Sequence, residues 1–238
     1  AGPIARTMAD IRILDAAMAG GAVRRDAPET SEIRLGVARE YFFENLDPAV
    51  EKNIDETLNL FCKAGVTLVE ADISGIGALD EAVSFPVALY EFMRDLPEFL
   101  EENGTGVSMT DLYEGIGSPD VKGLFGSQMG DEAIPEAAYR QAIDVERPNL
   151  QKAFESYFRD NSLDAVVFPT SPLPARPIGQ DETVELNGQQ VPTFPTFVQN
   201  TSPGSNAAIP GISLPSGLTE DGLPLGIEID IPHGIISF

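Results

Sequence analysis

A chain of 238 residues, 42% hydrophobic and 22% charged, is long enough to bury a sizeable core, as one large domain or two small ones, and reads as globular. Its 38 acidic residues against 15 Lys plus Arg leave a net charge of −23, which repels phosphate backbones and anionic lipid heads, so nucleic acid and membrane surfaces are disfavoured as partners. Cys62 is the only cysteine and His233 the only histidine; an internal disulfide and any His-rich metal site are excluded, and a Ser-His-Asp triad has one candidate base, near the end of the chain.

No apolar run approaches the ~18 residues of a membrane span, and the first residues lack a signal-peptide layout, so a cytoplasmic location is expected. Gly2-Pro3 leads into a helix capped by Thr7, with Ile11, Leu14 and Met18 at helical spacing and Gly20-Gly21 as its stop. Residues 22–32 read as a loop. Ile33–Val37 reads as a strand, Asp47-Pro48 starts a helix with an apolar stripe of Val50, Ile54, Leu58 and Phe61, and Val66–Val69 is the next strand. Strand, helix, strand over roughly 40 residues is a βαβ unit, with Cys62 expected in the core.

From Asp80 to Glu102 the pattern is helical and aromatic, with breaks expected at Pro86 and Pro97. Asn103–Gly106 is a turn, Ser108–Asp111 caps a short helix, and Gly115, Gly117, Ser118 and Pro119 mark a loop. Val121–Gly130 is a Gly-interrupted run. A helix is expected from Pro135 through Phe158, broken or kinked near Pro148. Asp164–Phe168 is a buried strand ending at Pro169, and Asn187-Gly188 is a hairpin turn. A loop rich in Pro, Gly and Asn, Asn200–Pro210, then feeds an apolar run that stops at Pro215. A turn at Gly222 and a second run, Leu225–Ile229, complete a pair of neighbouring strands.

Four stretches carry a family resemblance: "NAAIPGISLPSGLTEDGLPLGIEID" from Asn206, "GPIARTMAD" from Gly2, "AYRQAIDVERPNLQKAF" from Ala138 and "FPTSPLPARPIG" from Phe168. In this order they resemble the amidase-signature hydrolases, and among those the subgroup acting on aryl-acetamides such as indoleacetamide and mandelamide. The resemblance covers most of the chain, less securely from Asp80 to Asp120. It implies an α/β fold of amidase-signature type, a mixed β-sheet layered between α-helices and incomplete at the N-terminal side. Residues 1–238 are then the distal part of one domain, with residues 80–160 as a helical substrate-side region.

From the residues alone no catalytic constellation stands out. There is no Gly-rich phosphate loop, Cys pair or HExxH, and Asp15, Glu40, Glu44, Asp144, Glu146, Glu228 and Asp230 read as a solvated acidic face. The resemblance implies hydrolysis of a small amide to acid and ammonia by a serine nucleophile, a bridging serine and a lysine base, without metal or cofactor. That unit belongs to a Gly/Ser-rich signature expected before Ala1. No catalytic residue is therefore assigned here, and Lys63, Lys122 and Lys152 match no catalytic position. The substrate-binding candidates are Phe125, Asn200, Thr201, Asn206 and Ile209, since an aryl substrate needs an apolar slot with few polar anchors. Two alternatives remain at this point: an amidotransferase A-type subunit, against which the acidic composition and the lone basic Lys122 argue, and a non-catalytic binding or assembly subunit of the same fold. After Asp230 the tail Ile231–Phe238 departs from the family pattern. The strands are nearly all apolar and are expected to be buried on both faces, leaving an exposed apolar face or open sheet edge where the missing N-terminal segment docks. Such a surface favours homodimerisation of the isolated chain.

Overall fold

The computed structural model describes residues 2–21 and 28–232, so His233 lies outside the described residues. Helix α1 (Met8–Ala19) is capped by Thr7, whose hydroxyl accepts the Asp10 N–H, and closes at Gly20 with φ 68°. Its apolar residues Ile13, Leu14 and Met18 face solvent, and only Ala16 is buried.

Strand β1 (Arg34–Val37), the single turn α2 (Arg39–Phe42), helix α3 (Pro48–Lys63) and strand β2 (Thr67–Glu70) follow, with β1 and β2 parallel and Arg34 opposite Thr67. The α3 start is as the sequence reads: the Asp47 carboxylate accepts the Ala49 N–H and Pro48 holds the first helical position, where its missing N–H costs nothing. Val50, Ile54 and Leu58 form the buried stripe. Cys62, expected in the core, is exposed. At 3.6 residues per turn it lies about 120° round the helix from Val50, past the edge of the stripe.

The helical region is more regular than its prolines suggest. Helix α4 (Ile76–Glu102) continues through Pro86 and Pro97. Its buried face, Ile76, Val83 and Val87, packs into the main core, and that burial outweighs the hydrogen bonds lost at the prolines. Helix α5 (Met109–Gly115) carries a reciprocal capping box between Ser108 and Asp111. Pro119, read as loop, instead opens helix α6 (Pro119–Gln128) from its first position. Helix α7 (Glu136–Gln141) passes into a π-helical turn, Ala142–Glu146, and then helix α8 (Arg147–Asn161). The wider turn sits just before Pro148, where the interruption is expected.

The rest of the chain supplies β3 (Ala165–Pro169), a hairpin of β4 (Thr183–Leu186) and β5 (Gln189–Pro192), short helices α9 (Thr193–Val198) and α10 (Ser202–Ala207), and strands β6 (Gly211–Leu218) and β7 (Pro224–Asp230). Asn187 and Gly188 take φ 51° and 79°, the left-handed pair of a tight hairpin turn. Strand β6 does not stop at Pro215; a bulge between Pro215 and Gly217 carries it on to Leu218.

The main sheet has the order β2-β1-β3-β7-β6. β2, β1 and β3 are parallel, and β7 is antiparallel to both β3 and β6, so the sheet is mixed. On one face Phe42, Val83, Leu150, Phe154, Val166 and Phe168 form the larger core beneath α4, α8 and α10. On the other, Val37, Ile54, Leu58, Val167 and Ile227 pack beneath α3. The layered mixed α/β architecture is therefore as expected, but burial is uneven. β3 is buried throughout, whereas every residue of β2 and β6 is exposed or half-buried. They are the two edges of the sheet, and each has a strand neighbour on one side only among the described residues.

Candidate functional site

The loop that follows α9 lies across the carboxyl ends of β1 and β3, where open α/β sheets bind ligands. Three contacts place it there. Tyr41, just past β1, donates its hydroxyl to the Gln199 carbonyl at 3.0 Å, and the Gln199 side-chain amide returns a bond to the Tyr41 carbonyl at 3.3 Å. Asn200 is fully buried, and its Nδ2 donates to the Phe42 carbonyl at 2.9 Å and to the Pro169 carbonyl at 2.7 Å. Asn206 donates from Nδ2 to the Asp80 carboxylate of α4 at 2.6 Å, while Arg147 of α8 donates to the Asn206 carbonyl at 2.9 Å. The cost of this join is visible in the backbone. Tyr41 sits at φ 111°, a conformation an aromatic residue adopts only when its surroundings hold it there.

Beside the loop is a cleft of about 460 Å³, entered between the segment after β3 and the β6–β7 hairpin. Its walls are largely apolar, from Leu173, Pro174, Phe197, Leu214 and Leu225, with Thr170, Ser171 and Ser213 as hydroxyls. Thr170 and Ser213 share a hydrogen bond of 2.7 Å, and the Ser171 Oγ is buried without a partner. An apolar cleft with a few hydroxyls at one end suits a small ligand with an apolar body and one polar group. The Asp47–Arg176 ion pair at 2.9 Å and the Asp47 N–H bond to the Pro172 carbonyl at 2.8 Å tie the segment after β3 to the start of α3.

Three carboxyl groups near the loop are shifted by burial, and two of them, Glu228 and Asp230, depart from the solvated acidic face read from the sequence. Burial pushes Asp80 up, against the pull of its bonds from Asn206 and Ser202. Burial also pushes Glu228 up. Asp230, 2% exposed, is pushed up to about 8 by burial and by the charge of Glu228. The Tyr41 hydroxyl is raised by burial and by Asp80 and Glu44. Among the described residues no three His, Cys, Asp or Glu side chains form a metal-ligand set.

The five residues singled out from sequence fall into two places. Asn200, Thr201, Asn206 and Ile209 lie together on the loop: Thr201 bonds the Val198 carbonyl at 3.2 Å, and Ile209 packs on the larger core. Phe125 is in α6, buried edge-on against Phe92 of α4 at 5.2 Å and tilted against Tyr113. Helix α4 joins the two groups, since it carries both Phe92 and Asp80. None of the five lines the cleft. Sequence reading missed Thr170, Ser171 and Ser213, and the available signal was a run of hydroxyl residues directly after a wholly buried strand.

A layered mixed sheet, with a loop pinned over its parallel strand ends and an apolar cleft beside it, defines a mixed α/β protein with an open cleft at its sheet. The chain belongs to the amidase family: residues 1–234 match the family described as Amidase. It is 43% identical over 229 residues to an indoleacetamide hydrolase of Rhizobium radiobacter, a match covering 96% of this chain and 49% of the relative. It is 37% identical over 241 residues to a mandelamide hydrolase of Pseudomonas putida, covering 96% of this chain and 46% of that protein. The chain thus spans about half the length of the curated relatives it matches. Among solved structures, a crystal structure of an amidase superposes with TM-score 0.76 at 24% identity, over 98% of this chain and 49% of that one. A bacterial aryl acylamidase of the amidase signature family does so with TM-score 0.67 at 19% identity, over 97% and 49%. Among the described residues no helix is long and apolar enough to cross a membrane.

Proposed function

We propose that this chain is the distal half of an amidase that hydrolyses the C–N bond of a small aryl-acetamide to a carboxylic acid and ammonia. The observation that carries this reading is the 43% identity to an indoleacetamide hydrolase over 96% of the chain. In this account the nucleophile and base come from the part of the relatives that lies outside the match. Residues 1–238 supply the substrate-side wall: Phe125 of α6 and Ile209 its apolar surface, Thr201 a hydroxyl, and Asn200 and Asn206 the loop that carries Thr201 and Ile209. The cleft at Thr170, Ser171 and Ser213 fits the same ligand chemistry. The edge strand β6 and the apolar surface of α1 receive the remaining part, and in its absence drive self-association, despite the net charge of −23. The lone cysteine favours a cytoplasmic setting.

The test is a substrate panel with the full-length polypeptide. Ammonia release should favour aryl-acetamides over alkyl amides. Ile209→Ala or Phe125→Ala should shift the ratio of kcat/KM between aryl and alkyl amides by ~1–3 kcal/mol. Equal losses for every substrate would make both residues structural.

A further inference from the structure

Asp230 closes β7 at the back of the loop, paired across the sheet with Val166 of β3 and Gly211 of β6. Its side chain points at the backbone of the loop itself. A methyl group placed on Gly204 of α10 would fall on Asp230 Oδ2, and one placed on Gly211 would fall on Oδ1. The carboxyl therefore fills a slot that exists only because both flanking residues are glycine. It is 2% exposed, and among the described residues burial and the charge of Glu228 act on it and no hydrogen bond reaches it.

Among the described residues no cation compensates it. On its own strand the nearest titratable group is Glu228, two residues back on the same face, with its Oε1 at 3.4 Å from the position of a Gly211 methyl. Val166 of β3 and Gly211 of β6 stand opposite Asp230, and Phe168 and Ser213 stand opposite Glu228. From α10, Asp230 meets Gly204. Behind α10, Asp80 of α4 and Arg147 of α8 are both engaged by Asn206. A charged carboxylate in this slot would be desolvated, unpaired and beside another acid.

We propose that Asp230 is the positioning residue of this loop: as an uncharged carboxylic acid it packs Gly204 and Gly211 against the hairpin, and loss of its proton loosens residues 200–211. Only the catalytic consequence rests on the amidase reading; the structural consequence does not. Proton balance gives the sign. The folded form holds this proton up to about pH 8, whereas the unfolded chain releases it near the ordinary Asp value of about 4. The contribution of Asp230 to stability is full below the unfolded value and is lost progressively as pH rises through that window.

The experiment compares the full-length protein with Asp230→Asn, which keeps the shape and removes the titration. Urea midpoints are measured from pH 5 to 9, with amide hydrogen exchange of residues 200–211 corrected for intrinsic rate. The wild type should lose stability and exchange protection between pH 5 and 8 relative to the variant, and the variant should be the more stable protein at pH 8. Where amide hydrolysis is detected, its alkaline limb should move upward in the variant. Gly204→Ala, which pushes the carboxyl aside, should raise exchange in residues 200–211 at every pH. Parallel stability curves for wild type and Asp230→Asn would overturn the proposal whether or not the protein hydrolyses amides. Absence of hydrolysis with divergent curves would overturn only the amidase reading.

Discussion

Residues 1–238 produced alone should release no ammonia from indoleacetamide, mandelamide or benzamide above background. The chemistry implied by the resemblance needs a serine made nucleophilic through a bridging serine by a neutral lysine, and a lysine is neutral near pH 7 only where burial or a like charge depresses its pKa. None of the three lysines weighed above is buried. Lys63 and Lys152 are exposed, and Lys122 donates to the Glu114 carbonyl at 3.2 Å while lying over the Tyr113 ring. Loss of a nucleophile and its base typically removes on the order of 10⁶ in rate, which takes turnover to background. Ammonia release by the purified chain, abolished by substituting Ser171, Ser202, Ser205 or Ser213, would move the catalytic unit into these residues.

Asn200→Ala should be among the most destabilising single changes in the loop, at roughly 2–4 kcal/mol. The side chain is fully buried and its amide is the donor for two carbonyls from different elements, Phe42 after β1 and Pro169 at the end of β3. Removing it strands both acceptors and leaves a void where the loop meets the sheet. Asn200→Asp should be at least as costly, since it turns the donor into an acceptor facing two carbonyl oxygens. Thr201→Ala is the control: its hydroxyl reaches only the Val198 carbonyl, within the same segment, so the change should stay within ~0.5 kcal/mol. Urea unfolding of the three variants at pH 7 checks this, and equal costs for Asn200→Ala and Thr201→Ala would remove Asn200 as the pin of the loop.

Short-range chemistry was legible in the sequence wherever one residue type has one physical use. Asp47-Pro48, Ser108 with Asp111, and Asn187-Gly188 each specify a cap or turn, and each forms as read. The five strands of the main sheet were likewise visible as apolar runs between turn residues. What misled was the assumption that a local rule survives packing. Pro86 and Pro97 sit inside a 27-residue helix whose first half is anchored in the core by Ile76, Val83 and Val87. Cys62 follows the i+4 spacing of the apolar stripe but drifts off its edge. Asp230 looked like one more surface acid because the glycines that make room for it, Gly204 and Gly211, are 26 and 19 positions earlier in the chain. The cleft hydroxyls were hidden for the same reason: Thr170 and Ser213 meet only when β3, β7 and β6 are laid side by side.

If this chain forms the substrate side of an amidase whose nucleophile lies outside residues 1–238, a serine-reactive fluorophosphonate added to the full-length polypeptide should label a single serine outside those residues, mapped by mass spectrometry. An aryl-acetamide should suppress that labelling. A labelled serine within residues 1–238, protected by the same amide, would contradict that placement of the nucleophile.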